Sequence, residues 1–553
     1  MLCLLALLKV LPLAAGVHVT AQQASSFAGA TSSDVFTATA TGPDTSNFPE
    51  PSVVGFAGPT PTGDEPFLLQ TGLSAPQKSD IFPLEHPQVL LGNTPQTSTS
   101  FNPARYWGNL SPWFSVDSAA NGLPGASARA PKGCIIKQIH MLQRHGARYP
   151  AAGDPPAQFA TFLHGVANST GFKAIGTLEF LNTWTFELGA ELLTTFGQQQ
   201  LFERGSTFRI LYGKLLDGFS HTPVFRTTSE ARMVDSAINF AAGFFGVQTY
   251  QNSYRLEVEI ESEPFNNTLA PWENCLPNGN NFFNLGTEAT VAWIQVYLPN
   301  AVKRLQPQIK GLNLTTEIVY AMQSLCAFET VSVGSSEFCG LFTEEEWKGY
   351  EYSLDLNFWY GSGPGNPVTA AQGIGYVQEL LGRLTNTIPS TGSSVNSTLD
   401  NDTTTFPLDQ PIYFDFTHDT VISVIIAAMN FTSFNAAGPL PLTHIPANNA
   451  YHVQHIAPFA TQLTGQVLEC PVSSNNSTLV SNIRWVLNDA VIPLTGIEQC
   501  ASHKNKDGLC PLDVFITGIK QLIAEVDWTF DCTANYTNPG VPNNLTGGKP
   551  IRH

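Results

Sequence analysis

The stretch Cys134-Ile135-Ile136-Lys137-Gln138-Ile139-His140-Met141-Leu142-Gln143, running straight into Arg144-His145-Gly146-Ala147-Arg148-Tyr149-Pro150, decides the fold. Cys134, Ile135, Ile136, Ile139, Met141 and Leu142 form an apolar run that predicts a buried strand from about Cys134 to Gln143. The heptapeptide then falls at that strand's carboxyl end, where open α/β sheets hold their ligands. Two guanidiniums flank an imidazole, and Gly146 lets backbone come close to a ligand. Arginine's planar fork pairs bidentately with tetrahedral oxyanions, so the constellation suits phosphate. The competing reading is a basic turn whose arginines pair with surface carboxylates around a packed His145.

Two further strand ends point to the same place. Thr222-Pro223-Val224-Phe225 predicts a short strand with Arg226 at its end, and Ser229 is placed to cap a helix that starts near Glu230 and ends at Gly246. In Pro411-Ile412-Tyr413-Phe414-Asp415-Phe416-Thr417-His418-Asp419-Thr420 the alternation of Ile412, Phe414 and Phe416 predicts a strand, with a buried helix over Val421 to Met429 behind it. His418-Asp419 therefore stands at a strand end too. A parallel sheet gathers Arg144, His145 and Arg148, then Arg226, then His418 and Asp419, at one edge. Arg232 reads as structural, pairing within its helix region, with a secondary role in orienting the site as the alternative. His452 and His455 fall on a strand-like segment that turns them to opposite faces, which argues against a metal site. His140 and His164 read as packed or surface residues. Thr343 with Glu346 makes a capping box, so Glu344-Glu345-Glu346 marks a helix start rather than a metal cluster.

At 553 residues the chain is long enough for several domains, and its formal charge of −18 with pI near 5.0 argues against nucleic acid or an anionic membrane as partner. Charged residues are only 13%, against about a quarter in ordinary globular proteins, and sugars can supply the missing solubility. Asparagines 109, 168, 266, 313, 396, 401, 430, 475, 476, 535 and 544 (Asn109, Asn168, Asn266, Asn313, Asn396, Asn401, Asn430, Asn475, Asn476, Asn535, Asn544) stand in N-x-Ser/Thr acceptor sites. Leu2 to Leu13 with Val19-Thr20-Ala21 reads as a signal peptide over residues 1–21, and the chain is expected to be secreted. No later stretch is long and apolar enough to span a bilayer. Cys3 leaves with the signal, and Cys134, Cys275, Cys326, Cys339, Cys470, Cys500, Cys510 and Cys532 remain, enough for four disulfides of open connectivity. Residues 22–105 are rich in Ser, Thr, Ala, Gly and Pro and read as an extension.

Arg144 to Pro150 matches the RHGxRxP signature and His418-Asp419 the HD partner of the histidine acid phosphatases, and the chain resembles the branch that holds fungal phytases and broad-specificity acid phosphatases. Phe180 to Thr185, Ala242 to Gly246, Asp355 to Tyr360 and Val486 to Val491 carry the likeness further, over about residues 101 to 535. The resemblance implies an α/β fold, a phosphoglycerate-mutase-like central mixed or parallel sheet flanked by helices with an inserted mainly helical cap. The core is expected over 106–150, 195–262 and 405–540, and the cap over 151–194 and 263–404. It implies the pairs Cys134–Cys470, Cys275–Cys532, Cys326–Cys339 and Cys500–Cys510.

The same resemblance implies that His145 takes the phosphoryl group as phosphohistidine, that Arg144, Arg148, Arg226 and His418 clamp its oxygens, and that Asp419 is protonated in the free enzyme and gives its proton to the leaving alcohol. No cofactor or metal is called for, and the expected partners are small-molecule phosphate monoesters, phytate among them. A phosphoglycerate-mutase-like phosphotransferase and an inactive secreted binding protein of the same fold are the rival readings. Secretion and the His418-Asp419 pair argue against the first, and the complete catalytic set against the second. Between Ala151 and Gln372 there are 11 Lys and Arg against 22 Asp and Glu, so the region expected to roof the pocket leans acidic. Such a roof repels a polyphosphate at neutral pH and less so in acid.

Overall fold

The computed structural model describes residues 101–551, apart from 276–281, 283, 437, 473–477 and 504. The expected signal peptide, the extension as far as residue 100, and the acceptor sites Asn475 and Asn476 lie outside the described residues.

Eight strands build one mixed sheet: β1 (Ile135–Arg144), β2 (Val224–Thr228), β3 (Arg255–Glu259), β4 (Ile412–Thr417), β5 (Gln462–Pro471), β6 (Leu479–Leu487), β7 (Ala490–Ile492) and β8 (Cys510–Pro511). The order is β8-β6-β5-β1-β4-β2-β3, with β7 also paired to β6. β1, β4, β2 and β3 run parallel, and β5, β6, β7 and β8 complete the sheet in antiparallel pairs. β4 and β2 are buried along their whole length, and their charged members, Asp415 and Arg226, pair with each other inside. The register sets Arg144 opposite Thr417 and Arg226 opposite Asp415.

Helices cover the sheet. α1 (Pro155–Ala167), α2 (Thr195–Tyr212) and α3 (Ala231–Phe245) come before β3; α4 (Asn284–Tyr297), α5 (Thr316–Val333), α6 (Glu344–Gly361) and α7 (Thr369–Thr385) fill the middle third; α8 (Asp419–Ala428) follows β4 and α9 (Leu512–Ala524) follows β8. α8 sinks Val421, Ile422, Val424, Ile425 and Ile426 into the core shared with Ile374, Val377 and Leu380 of α7. α3 lays Met233, Phe240 and Phe244 against Phe225 of β2 and Phe414 of β4.

The capping box at α6 forms as expected. The Thr343 N–H donates to Glu346 Oε2 at 2.9 Å, and the Glu346 N–H donates to Thr343 Oγ1 at 3.3 Å. Ser229 does not cap α3: Glu230 holds the cap position, and the Ser229 hydroxyl accepts from the Glu261 N–H at 3.0 Å, tying the β2 and β3 exits together. The sulfurs are bonded as Cys134–Cys470, Cys275–Cys532, Cys326–Cys339 and Cys500–Cys510. Among the acceptor sites, Asn168, Asn313, Asn401, Asn535 and Asn544 are exposed. Asn109, Asn266, Asn396 and Asn430 are only half-exposed, and each spends its amide nitrogen on a hydrogen bond within the fold.

Candidate active site

Four parallel strands end at one edge, and each delivers chemistry there. β1 delivers Arg144 and His145. β2 leads through Glu230 into Arg232 on the first turn of α3, and β3 leads to Glu261. β4 hands over to His418 and Asp419 at the start of α8. The His145 N–H donates to the Thr417 carbonyl at 3.2 Å, and its own carbonyl accepts from the Ala460 N–H at 2.9 Å, so the loop is fixed to the exit of β4 and the entry of β5. Gly146 is required by contact rather than by torsion. A Cβ there would lie 2.3 Å from the Gly197 carbonyl oxygen of α2.

His145 is buried, and its Nδ1 lies 2.8 Å from the Gly146 carbonyl oxygen. A carbonyl only accepts, so Nδ1 carries the proton and Nε2 keeps its lone pair. Burial first, then the charges of Arg144, Arg232, Arg148 and His418, push the imidazole far below its ordinary titration range. Burial among these cations favours the neutral ring. Phe459 and His418 stand beside it, with ring centres 6.1 and 5.9 Å away.

Arg144 is fully buried and pairs through Nη2 with Asp419 Oδ2 at 2.7 Å. Its Nη1 donates to the Ala457 carbonyl at 2.6 Å and to the Asn109 carbonyl, and its plane lies 4.5 Å over the Phe459 ring. Burial works to raise the Asp419 carboxyl, but Arg144, a hydrogen bond from Asn109, Arg148 and His418 outweigh it and hold it below the ordinary carboxylate range. This runs against the expectation that Asp419 is protonated in the free enzyme: an arginine in direct contact favours the anion.

Arg148 donates to the Tyr149 carbonyl at 2.8 Å and stands 3.5 Å from Asp154. Arg232 pairs with Glu191 at 3.1 Å and with Glu230. His418 Nε2 sits 3.1 Å from Glu261 Oε2, with the Trp272 ring 5.0 Å away. Three cationic forks and two imidazoles thus surround one spot, backed by Glu191, Glu230 and Glu261.

Residues 135–488 match the family described as the histidine phosphatase superfamily, branch 2. The chain belongs to that family. Phytase A of Aspergillus fumigatus is 33% identical over 437 residues, 76% of this chain and 89% of the relative, and Phytase A of Emericella nidulans is 32% identical over 441 residues, 77% and 90%. The crystal structure of the phytase from D. castellii superposes with a TM-score of 0.64 at 25% identity, covering 85% of this chain and 94% of that one. The Bifidobacterium longum multiple inositol polyphosphate phosphatase in complex with inositol hexasulfate shares the fold, with a TM-score of 0.51 at 16% identity over 72% of this chain and 98% of its own.

In this histidine phosphatase Arg226 is not part of the clamp. β2 runs on to Thr228, which leaves Arg226 inside the strand, and its side chain enters the layer under α7 instead of passing the sheet edge. There Nε meets Asp415 at 2.8 Å, Nη2 meets Glu379 at 2.6 Å and Nη1 meets Glu259 at 3.1 Å. The fork is consumed by carboxylates. Arg232, read from sequence as structural, is instead an arginine whose charge reaches His145. The position that betrays it is the first helical turn after a parallel strand, where anions bind.

Among the described residues, two groups have donor atoms close enough for a metal ion: Glu230, Glu261 and His418, and Glu351, Asp355 and His452. In the first, Arg232 pairs with Glu230, and His418 Nε2 lies 3.1 Å from Glu261 Oε2. In the second, His452 Nδ1 lies 3.1 Å from Glu351 Oε1, and hydrogen bonding to Glu351 with the charges of both carboxylates lifts the imidazole, against burial, to about 9. A proton fills that group. His452 and His455 do not face opposite ways: Val453–Ile456 is one helical turn, and their rings approach to 5.3 Å.

Proposed function

We propose that the chain hydrolyses phosphate monoesters, phytate among them, through a phosphohistidine on His145. The observation that carries this is a neutral imidazole, its Nδ1–H spent on the Gly146 carbonyl, with Nε2 free beside three arginines. Nε2 forms a bond to phosphorus as the ester P–O bond breaks, and the departing oxygen takes a proton from Asp419. Arg144, Arg148, Arg232 and His418 hold the phosphoryl oxygens, whose spread charge is what such a site must stabilise. Water then attacks the phosphohistidine, gives its proton to the Asp419 carboxylate and releases phosphate. Because Asp419 is an anion in the free enzyme, the proton it donates arrives with the substrate. A phosphate monoester loses its second proton near about pH 6. Below that pH the monoanion carries one, which accounts for an enzyme that works in acid. Secretion is part of the proposal, supported by the four disulfides and the exposed acceptor sites.

Asp419→Asn keeps the shape and removes the donor. Alkyl phosphates should lose about 10²–10⁴ in kcat, while p-nitrophenyl phosphate, whose leaving oxygen needs little protonation, loses far less. Equal losses on both would reduce Asp419 to a substrate-positioning group.

Glu191, Glu230 and Glu261 behind Arg232 and His418 give the acidic surroundings a local address. Burial, opposed by His418 and Arg232, raises the Glu230 carboxyl, so this group sheds its charge early as pH falls. Phytate turnover should therefore fall more steeply than that of a small monoester as pH rises. Phosphate release from both substrates, measured as kcat/KM from about pH 2.5 to 6, checks it, and a phytate preference that grows with pH would count against it.

A further inference from the structure

We infer that Asn109 is a positioning residue for Asp419 and works as a bare carboxamide, although it stands in an N-x-Ser acceptor site. The inference rests on the reading of Asp419 as the proton donor.

Asn109 lies on a single 3-10 turn, Gly108–Leu110, 310 residues from Asp419 in sequence. Its carbonyl accepts from Arg144 Nη1, and its Nδ2 donates to Asp419 Oδ2 at 2.9 Å. Arg144 closes the ring through Nη2 to the same Oδ2 at 2.7 Å. One residue therefore spans both halves of the ion pair that decides where the proton sits. A carboxylate can only accept, so the amide must turn its NH₂ toward Asp419.

The turn itself is anchored. Trp107 is fully buried beside Trp347. Ser111, the hydroxyl residue of the acceptor site, is fully buried; its Oγ accepts from the Trp107 N–H at 3.2 Å, and its carbonyl accepts from the Phe459 N–H at 2.9 Å. Phe459 is the ring under Arg144. A sugar on Asn109 Nδ2 would take one of its two N–H bonds and add bulk at the spot where Arg144 and Asp419 meet, so this arrangement calls for an unmodified amide.

Besides Asn109, Asp419 feels Arg144, Arg148 and His418, and Oδ1 accepts from the Thr420 N–H at 2.8 Å. Removing the Asn109 donor leaves those in place and weakens only the preference for the anion. In kcat/KM the reactive complex holds one proton shared between Asp419 and the phosphate. The acid limb then reports Asp419, and the alkaline limb reports the substrate's second ionisation. Losing a hydrogen bond to a charged group moves such a limb upward by about one pH unit.

The test is kcat/KM on an alkyl phosphate, glycerol 2-phosphate, from about pH 2 to 6 for the wild type, Asn109→Ala, Asn109→Ser, Asn109→Asp and Asp419→Asn. We expect the acid limb to rise by about one unit in the alanine and serine variants and further in the aspartate variant, where a second carboxylate opposes ionisation of the first. Asp419→Asn should abolish the limb. If Asp419→Asn abolishes it while the folded Asn109 variants keep the wild-type limb and lose rate evenly at all pH, Asn109 is merely structural and the inference is overturned. If Asp419→Asn retains the limb, the reading of Asp419 fails first and takes the inference with it. Mass spectrometry of the peptide holding Asn109 in active, secreted enzyme should find it unmodified; a hexosamine there overturns the inference independently.

Discussion

Replacing His145 with alanine is expected to cut kcat on both alkyl and aryl phosphates by on the order of 10⁴-fold or more, and to leave no phosphoryl group on the chain. The proposed nucleophile has no understudy. The nearest imidazole, His418, has its ring centre 5.9 Å from that of His145 and its Nε2 against Glu261, so its lone pair is not free to take over. Arginines hold phosphate but cannot accept it. Alanine leaves room for a small base, so added imidazole should restore part of the turnover in the variant and do little for the wild type. Rapid quench into alkali, which spares phosphohistidine, should trap labelled phosphate on wild type alone. Thermal unfolding of the variant shows that the loss is chemical. Turnover within tenfold of wild type would dispose of the covalent route.

How much of this was legible in sequence differs residue by residue. β1 could be read from its apolar residues, although its first residue, Ile135, is exposed, and β4 from the alternation of Ile412, Phe414 and Phe416; His145 and Asp419 were legible because they follow those strands directly. The same logic misplaced Arg226. An arginine after Val224 and Phe225 looks like a strand end, yet Thr227 and Thr228 continue the strand, and the carboxylates that receive the guanidinium come from β3, β4 and α7. Buried counter-charges drawn from distant segments leave no local pattern. Asn109 was read as a glycan site for the same reason, since its partner Asp419 is 310 residues away. The protonation of Asp419 was out of reach too, because it depends on a contact with Arg144 that only the fold creates. His452 and His455 were assigned the period of a strand. The single turn that holds them depends on Asp355, which accepts from the Val453 N–H at 2.8 Å.

Arg226 and Arg232 should part company when each is replaced, Arg226→Met acting on stability and Arg232→Ala on rate. Around Arg226 lie Glu257, Glu259, Glu379, Asp400 and Asp415, all buried, with Arg383 as the second cation, bonded to Asp415 at 2.6 and 3.2 Å. Two guanidiniums cannot neutralise five carboxylates, so some of the acids carry protons. Burial, opposed by Arg226, lifts Glu257 to about 8, and Glu259 and Asp400 are raised as well. Asp415 is driven down: burial acts to raise it, and Arg226 and Arg383 overcome that. A carboxyl whose folded value is raised contributes stability that is complete below its unfolded value, about 4.3, and is lost as pH climbs through the folded one. The wild type should therefore be most stable in acid and soften between about pH 4.3 and 8. Taking away Arg226 removes a cation from this group, pushes the raised carboxyls higher, and leaves any that ionise unpaired. At pH 7 the loss should be about 3–5 kcal/mol, the usual result of breaking one side of a buried pair. Near pH 4, with Glu257, Glu259 and Asp400 protonated, it should shrink, so the gap in Tm between Arg226→Met and wild type widens as pH rises. Phosphatase activity assayed in acid should survive in Arg226→Met, because its fork never reaches His145. Arg232→Ala should act mainly on rate, costing about 10²–10³ in kcat as one donor to the phosphoryl oxygens is lost, with a loss of Tm smaller than that of Arg226→Met because Arg232 is partly exposed and pairs with only Glu191 and Glu230. A constant Tm gap across pH would remove the charge argument for Arg226, and an Arg226→Met enzyme that is stable but inactive in acid would return Arg226 to the clamp.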